Sequence, residues 1–391
     1  MLIQDREENR VKVVAAIDSF KGSLSTFQSG EAVSEGVRRV YSDAEVVVCP
    51  LADGGEGTVA AIVAGCGGEI RSITAVGPLG DKITCEYGII SKTETAVIEM
   101  SAAAGITLVP PEKRNPMVTT TYGVGEIIAD AIANGCRKFI VGIGGSATND
   151  GGVGMLTALG FEFLDGNGEP IERGGKGLGR LCEIRADKAL PTLSECEFHI
   201  ACDVKNPLCG ENGCSAVYGP QKGATPETVA LMDGWLKNYA ELTKKVNPKA
   251  DGSYPGVGAA GGMGFAFMSY LGGTLESGID LVIKVTGIED ELKTADVVVT
   301  GEGRLDGQSC MGKAPVGIAR TAKKYGKPVI AFSGCVTSDA RECNENGIDA
   351  FFPILKAPCA LQEAMDIGNA RKNLADTAEQ AFRIIKTFSK V

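Results

Sequence analysis

Short apolar runs alternate along the chain with segments of helical periodicity. Residues 11–17 predict a buried strand, and a helix is predicted from near Ser25, where Ser25 and Gln28 form a capping-box pattern. The same alternation recurs in strands predicted at 45–49, 296–300 and 328–332 and in helices predicted at 59–64 and 316–325. Strands that alternate with helices predict a parallel, doubly wound sheet whose binding crevice lies at the carboxyl ends of its strands.

The middle of the chain has a different pattern. Residues 70–76, 82–89 and 96–100 predict strands with no room for helices between them, which indicates an antiparallel or mixed sheet. Residues 139–143 predict a further strand, and the sequence leaves open which sheet it joins. We therefore expect a Rossmann-like α/β domain built from residues 1–75 and 288–391, and a mixed α/β domain inserted at 76–287. The active site is expected in the cleft between them.

Composition narrows the class of protein. A length of 391 residues favours two domains, and a net charge of −10 disfavours a nucleic-acid partner. No run of apolar residues is long enough to cross a membrane, and the N-terminal stretch MLIQDREENR lacks the apolar core of a signal peptide. The 13 cysteines include no C-x-x-C pair, so reduced, mostly buried thiols are expected. These features predict a cytoplasmic protein without a membrane partner, and they leave a homo-oligomer open.

Candidate chemistry is limited by the presence of one histidine, His199. Histidine-based nucleophilic machinery could exist only around that position, and a multi-histidine metal site cannot form within one chain. Catalysis must therefore depend on carboxylates, lysines and backbone groups. The 53 glycines cluster at the ends of apolar runs, where they would let backbone N–H groups approach an anion.

A dinucleotide-binding motif is one interpretation of these glycines. Residues 142–147 read G-x-G-x-x-A after a strand, and Asp165 follows at a suitable distance. Residues 256–261 also match the glycine pattern, so at this glycine content the motif discriminates little. No P-loop motif occurs. An NAD(P)-dependent dehydrogenase remains an alternative function.

Several predicted strand-end loops combine small donors, glycines and a carboxylate or lysine. They are DSFKGS, ADGGEGT, GGSATNDGG, GEGRLDGQS and GK. If these loops converge, they supply donors for a polyphosphate and carboxylates for Mg²⁺. A simpler interpretation stays open for each: Asp18 and Asp53 as helix caps, Lys21 and Lys313 as solvated lysines, and residues 149–151 as a turn.

Asp203 is a candidate general base. If residues 196–204 form a strand, alternation places Phe198 and Ile200 on one side and His199 and Asp203 on the other. A carboxylate at the strand end could accept a proton from a substrate hydroxyl, as an aspartate does in kinases. A turn cap is the alternative for Asp203, and His199 is interpreted as a hydrogen-bonded structural residue.

Taken together, seven segments resemble the bacterial glycerate kinase family in its type I branch. They are FKGSLS (20–25), PLADGGEGT (50–58), GIGGSATNDGG (142–152), ACDVKNPL (201–208), GPQKGA (219–224), GAAGGMG (258–264) and GEGRLDGQSCMGK (301–313). The resemblance implies ATP-dependent, Mg²⁺-assisted phosphorylation of D-glycerate by a two-domain α/β enzyme, with 2-phosphoglycerate as the favoured product. A kinase for another small hydroxy acid and a non-catalytic binder of sugar acids remain alternatives.

The resemblance also implies roles for individual residues. Asp203 matches the catalytic base, and Arg304 and Lys313 are the expected catalytic cations. The expected substrate-binding and nucleotide-binding residues are Asp18, Lys21, Asp53, Gly54, Gly145, Ser146, Asn149, Asp150, Asn206, Glu302 and Asp306. Asp53, Asp150 and Asp306 are expected to bind Mg²⁺ through the nucleotide.

Overall fold

A computed structural model describes residues 10–389, apart from the side chain of Met311. Of the N-terminal stretch examined for a signal peptide, only Arg10 falls within the described residues. The strands are β1 (Lys12–Ile17), β2 (Glu45–Val48), β3 (Glu69–Val76), β4 (Lys82–Ile90), β5 (Thr95–Glu99), β6 (Lys138–Gly142), β7 (Glu162–Leu164), β8 (Glu183–Arg185), β9 (Glu197–Ala201), β10 (Thr274–Glu276), β11 (Val297–Leu305), β12 (Val329–Val336) and β13 (Ala350–Pro353).

The helices vary from single turns to 22 residues. They are α1 (Thr26–Arg38), α2 (Thr58–Cys66), α3 (Ser101–Ala104), α4 (Tyr122–Ala133), α5 (Val153–Ala158), α6 (Cys214–Tyr218), α7 (Pro226–Val246), α8 (Ala259–Leu271), α9 (Gly278–Thr286), α10 (Ile288–Thr294), α11 (Ala314–Lys323), α12 (Glu342–Glu345), α13 (Leu361–Met365) and α14 (Ile367–Phe388). The 3₁₀ segments are Ser91–Thr93, Ile106–Leu108, Pro111–Lys113, Gly175–Arg180, Pro191–Glu195, Pro220–Lys222, Ser309–Met311 and Ser338–Arg341. Within residues 10–389, none of the helices has the length and apolar character that a membrane span requires.

The chain divides into two compact units. The first takes its described residues from Met1–Asp53, Ala64–Cys66 and Ile279–Val391. The second comprises Gly54–Val63 and Gly67–Gly278. Each unit has its own sheet and its own apolar core.

The first unit is built on a five-stranded parallel sheet in the order β13-β12-β11-β1-β2. Alternate strand residues such as Val13 and Val299 pack against α1 and α14. Their neighbours Val14 and Val298 are also fully buried, and by the strand's period of two they lie on the other face, where α10 and α11 contact the sheet. Burial of both faces is the doubly wound arrangement. The predicted α/β fold class is confirmed.

The first helix begins where its sequence signature predicts. The backbone N–H of Gln28 donates to Ser25 Oγ at 3.2 Å, and the backbone N–H of Ser25 donates to Gln28 Oε1 at 2.9 Å. This reciprocal pair satisfies donors that the first helical turn otherwise leaves without partners.

Strands β11 and β12 extend further than predicted. Their parallel register continues from Val298 beside Val329 to Leu305 beside Val336, so residues expected in loops belong to strands. The glycines that suggested a turn have another role here. A Cβ at Gly301 would lie 2.0 Å from the Phe332 carbonyl oxygen, so glycine allows the close pairing of the two strands.

The second unit has a mixed six-stranded sheet in the order β10-β9-β6-β5-β4-β3. The pairs β3–β4 and β4–β5 are antiparallel and the others are parallel, which confirms the predicted mixed sheet. The strand whose sheet the sequence left open, β6, lies between β5 and β9. The rings of Phe139 on β6 and Phe198 on β9 stack at 4.7 Å between centroids, which places an aromatic pair in the core.

Packing of α1 on α14 predicts a strong effect of Gly36→Ala. The new methyl carbon would lie 2.3 Å from the Ala375 carbonyl oxygen and 2.8 Å from Ala378 Cβ. We expect the free energy of unfolding, measured by chemical denaturation, to fall by about 1–3 kcal/mol.

The matched control is Gly234→Ala in α7, where no atom lies within 4 Å of the added methyl group. That change should leave stability unaltered or raise it by up to about 1 kcal/mol, because alanine favours a helix over glycine. A Gly36→Ala protein as stable as the wild type would contradict the packing described for α1.

Candidate functional site

A cavity of about 500 Å³ lies at the carboxyl edge of the parallel sheet in the first unit. Its volume is within the range of small-molecule sites, roughly 300–1,000 Å³. We call it the first-unit pocket. Its charged lining residues are Asp18, Lys21, Asp53, Glu302, Arg304, Asp306 and Lys313, and its apolar ones include Phe20, Ile354, Leu355, Leu361 and Met365.

Several of these residues lie at the carboxyl ends of three strands. Asp18 directly follows β1, Glu302 and Arg304 lie in the last half of β11, and Ile354 directly follows β13. Since the strands are parallel, their carboxyl ends meet at one edge, as the sequence analysis expected. Seven of the fourteen predicted site residues, those charged residues that line the first-unit pocket, come together there.

Burial dominates the electrostatics of this pocket. The side chain of Asp18 is almost fully buried, and that burial raises its pKa to about 6, with the charge of Asp53 adding to the rise. The ammonium group of Lys21, 3.9 Å from Asp18 Oδ1, opposes it. Burial likewise raises the pKa of Glu302 to about 7; a hydrogen bond from Ser309 and the charge of Lys313 oppose this rise. Two carboxyl groups of the pocket therefore titrate close to neutral pH.

A turn formed by residues 306–313, here called the pocket turn, fixes two of the charged groups. Ser309 Oγ donates to Glu302 Oε1 at 2.5 Å and accepts from the Asp306 backbone N–H at 3.1 Å. Asp306 Oδ1 accepts from the backbone N–H of Gln308 at 2.9 Å, and Asp306 Oδ2 lies 3.2 Å from Arg304 Nε. The Arg304 side chain is 65% exposed, so it can turn toward a ligand. Asp306 is thus both a turn cap and part of the pocket wall.

In the second unit, a buried lysine organises the GGSATNDGG loop. Lys222 is almost wholly buried, and its Nζ donates to Ser146 Oγ at 2.7 Å and to the Thr148 carbonyl at 2.6 Å. Burial lowers its pKa to about 8, while the neighbouring Cys214 and Asp150 favour its charged form. Lys222 lies in the segment GPQKGA, which carries part of the family resemblance, but it was not predicted as a site residue. The neighbouring proline and glycines were the signal that could have identified Lys222. They predict a tight turn, although lysine is normally exposed to solvent.

Asp150 has a structural role in this loop. Its Oδ2 accepts from the Thr121 backbone N–H and Oγ at 2.9 Å each, and its Oδ1 accepts from the Gly152 N–H at 3.2 Å. Burial raises the pKa of this fully enclosed carboxyl, and the same hydrogen bonds counteract the rise. Both oxygens are committed to the protein. These bonds give Asp150 a structural role, and the expectation that it also contacts Mg²⁺ or substrate stays a prediction.

The neighbouring predicted residues are partly committed. Asn149 is fully buried and donates through Nδ2 to Ser215 Oγ at 2.9 Å, whereas no described group pairs with its Oδ1. Ser146 accepts from Lys222, and Gly145 is exposed with φ +72°, a conformation that favours glycine. Gly144 and Gly145 are thus the exposed residues of this loop, where a ligand could approach the backbone.

Asp203 lies beyond the strand on which it was placed. Strand β9 ends at Ala201, so the predicted alternation does not reach Asp203, which is exposed. Its Oδ1 accepts from the Gly278 backbone N–H at 3.0 Å. His199 lies on the strand, with Nε2 2.8 Å from Glu197 Oε1 and Nδ1 bonded to Glu276, in keeping with a structural role.

Two further predicted residues belong to loop scaffolding of the second unit. Asn206 Oδ1 accepts from the Tyr218 hydroxyl at 2.7 Å, and its Nδ2 donates to the Asn212 carbonyl at 2.8 Å. Gly54 has φ +86°, and a Cβ there would lie 2.5 Å from Ala201 Cβ. Both residues hold backbone next to β9 and its following loop.

Comparison with known proteins places this architecture in a family. Residues 13–386 match the sequence profile of the Glycerate kinase family. The chain belongs to the glycerate kinase family. This confirms the resemblance inferred from the seven segments, and with it the prediction that the protein is a kinase.

Similar glycerate kinases extend over nearly the whole chain. The chain is 47% identical to "Glycerate kinase" of Haemophilus influenzae over 96% of this chain and 99% of that protein. It is 46% identical to "Glycerate 2-kinase" of Escherichia coli K12 over 94% and 98%. A crystal structure from Salmonella typhimurium LT2 that carries the name glycerate kinase 2 matches with a TM-score of 0.89 and 42% identity, covering 98% of this chain and 100% of that one.

The carboxylates of the first-unit pocket are of the ligand type that Mg²⁺ prefers. Within residues 10–389, no three or more His, Cys, Asp or Glu side chains are grouped so that they could hold a metal ion. Mg²⁺ needs no such cage, since it is commonly held by one or two carboxylates together with substrate phosphates and water. Asp53 lies close enough to Asp18 for its charge to raise the pKa of that carboxyl, and a cation here would relieve the repulsion.

The raised pKa of Glu302 predicts a pH dependence of stability. Because the folded state binds this proton more tightly than the unfolded state, with its ordinary pKa of 4.5, the contribution of Glu302 is full below about pH 4.5. It is lost as the pH rises through about 7. Glu302→Gln should therefore gain stability relative to wild type between pH 5 and pH 8, by on the order of 1–3 kcal/mol in denaturant titrations.

The control is Glu345→Gln, which changes an exposed glutamate of the same unit. For this variant the stability difference from wild type should be the same at both pH values. If Glu302→Gln behaved in the same way as this control, burial would not be the cause of the Glu302 titration.

Proposed function

We propose that the protein transfers the γ-phosphoryl group of ATP to D-glycerate with the help of Mg²⁺, and that 2-phosphoglycerate is the product. The first-unit pocket is the observation that carries the proposal, because its lining combines charged and apolar side chains. A nucleotide has the same division between phosphates and base. The name of the E. coli relative, "Glycerate 2-kinase", supports the position of transfer.

We assign the nucleotide to the first-unit pocket because both kinds of side chain line it. Its base would lie against Ile354, Leu361 and Met365, and its phosphates would lie near Lys21 and Lys313. Lys313 directly precedes α11, whose first backbone N–H groups add partial positive charge. Asp53 and Asp306 are the residues that would hold the Mg²⁺, which neutralises phosphate charge when bound.

The transfer step is assigned to Asp203, Arg304 and Lys313. Asp203 would orient the substrate hydroxyl and accept its proton, which its exposed position permits. Arg304 and Lys313 would balance the charge that develops on the transferring phosphoryl group. The substrate carboxylate would bind the exposed backbone at Gly145 or the ammonium group of Lys21. In-line geometry and exclusion of water would then favour glycerate over water as the acceptor.

Asp203→Asn tests the general base. We expect kcat to fall by at least about 10²-fold, because the amide cannot accept the hydroxyl proton. Circular dichroism and the melting temperature should remain close to those of the wild type, since Asp203 is exposed.

Asp187→Asn, at an exposed aspartate of the second unit, is the matched control and should retain full activity. A near-wild-type kcat for Asp203→Asn would remove Asp203 from the mechanism.

Lys313→Ala tests the placement of the phosphates. Loss of this cation should raise KM for ATP or lower kcat, so that kcat/KM for ATP falls by about tenfold or more, measured by coupled ADP release. The exposed Lys324 lies just beyond the other end of α11, and Lys324→Ala should leave both constants unchanged. Equal kinetics for the two variants would place the phosphates elsewhere.

Phosphorus NMR of the product tests the overall function. The protein is incubated with ATP, Mg²⁺ and a panel of small hydroxy acids, and the phosphorylated carbon is identified. A 2-phosphoglycerate resonance supports the proposal, and phosphorylation of another acid alone would reassign the substrate. Quenching or enhancement of NAD(P)H fluorescence, with no phosphoryl transfer, would favour the dehydrogenase.

A further inference from the structure

Two buried thiols of the first unit are in contact. Cys310 Sγ and Cys343 Sγ are 2.9 Å apart, although the residues are 33 positions apart in the chain. Cys310 is 9% exposed and Cys343 is fully buried. Neither takes part in the proposed transfer of phosphate, so the mechanism leaves this pair without a role.

The geometry favours a bond between these sulfurs. A disulfide has a sulfur–sulfur length of about 2.05 Å, so the two atoms would need to approach by roughly 0.9 Å. Cys310 lies in the 3₁₀ segment of the pocket turn, and Cys343 lies in the four-residue helix α12. Both are short elements with exposed neighbours, since Gln308 precedes the first and Glu342 and Asn344 flank Cys343.

The two elements are already joined by a second contact. The Gly307 backbone N–H donates to Asp339 Oδ2 at 3.1 Å, which ties the pocket turn to the segment that precedes α12. The same turn holds Glu302 through Ser309, and it ends at Lys313. A covalent bond at Cys310 would therefore restrict the part of the chain that positions three charged groups of the first-unit pocket: Glu302, Asp306 and Lys313.

We propose that Cys310 and Cys343 form a reversible disulfide on reaction with hydrogen peroxide, and that this bond lowers turnover by fixing the pocket turn. Cys310, the more accessible sulfur, attacks the peroxide as the thiolate, so that an S–O bond forms, the O–O bond breaks and hydroxide leaves. The Cys343 sulfur then displaces the hydroxyl group from the sulfenic acid, which forms the S–S bond and releases water. In sum, two thiols lose two electrons and two protons, and one hydrogen peroxide is reduced to two molecules of water.

Trypsin separates the two cysteines cleanly. Cleavage after Arg304, Lys313, Arg341 and Lys356 gives peptides 305–313 and 342–356, each with one cysteine. After treatment with hydrogen peroxide and alkylation of free thiols, we expect a linked species with the summed mass of both peptides less two hydrogens. Kinase activity should fall by about fivefold or more and return on addition of dithiothreitol. Oxidation of Met311 in the same peptide would not be reversed in this way, because its sulfoxide needs a reductase.

Cys343→Ala should retain basal activity and lose the response to peroxide. Cys310→Ala serves as a second variant if the first does not fold, and it should give the same result. Cys359→Ser, at an exposed cysteine of the first unit, is the matched control and should respond as the wild type does.

Absence of the linked peptides, or a linked protein with unchanged activity, would overturn the inference. The inference would also be overturned if peroxide lowered the kinase activity of Cys343→Ala as much as that of the wild type. Another residue would then be responsible for the loss. The effect on turnover rests on the proposed kinase function, whereas the linkage does not. If the untreated protein did not phosphorylate glycerate, the proposed function would be wrong. The peptide analysis would still show whether the disulfide forms.

Discussion

The first-unit pocket depends on how closely β11 approaches β12 at Gly301. A side chain at that position would collide with the Phe332 carbonyl, and the two strands could not continue in register to Leu305. Continuation of the strand carries Glu302 and Arg304 to the carboxyl edge of the sheet, next to Asp18 at the end of β1. The absence of a Cβ at Gly301 therefore allows the charged side chains of the first-unit pocket to lie together.

Because these side chains lie together, the charged forms of Asp18 and Glu302 are disfavoured. Asp18 and Glu302 are buried, and each lies within the field of Asp53, so their charged forms are disfavoured in the protein alone. Lys21 and Lys313 offset part of this effect. In the proposed function, a cation that arrived with nucleotide phosphates would restore the balance, which would favour joint binding of the ion and the nucleotide.

The sequence predicted the fold better than the details of the site. Alternation of apolar strands and capped helices was sufficient for the parallel sheet, and the capping box at Ser25 was found in place. The extent of β11 was missed because glycine favours both turns and close strand contacts, and only the partner strand distinguishes them. The structural bonds of Asp150 were missed for a related reason, since a carboxylate in a polar loop has the same sequence signature whether or not it pairs with Thr121. Lys222 shows the reverse case: lysine is normally exposed, so its burial could not be read from composition.

The pairing of β1 with β11 also has a consequence for the order of folding during synthesis. The backbone N–H of Lys12, at the start of β1, bonds to Asp296, 284 positions later. On the ribosome, β1, α1 and β2 would emerge first and would have no central partner until most of the chain had been made. The second unit, whose residues 67–278 form an uninterrupted stretch, can complete its sheet during that interval. Until β11 has been made, β1 can pair with other nascent chains, so synthesis of the second unit is the stage most exposed to aggregation.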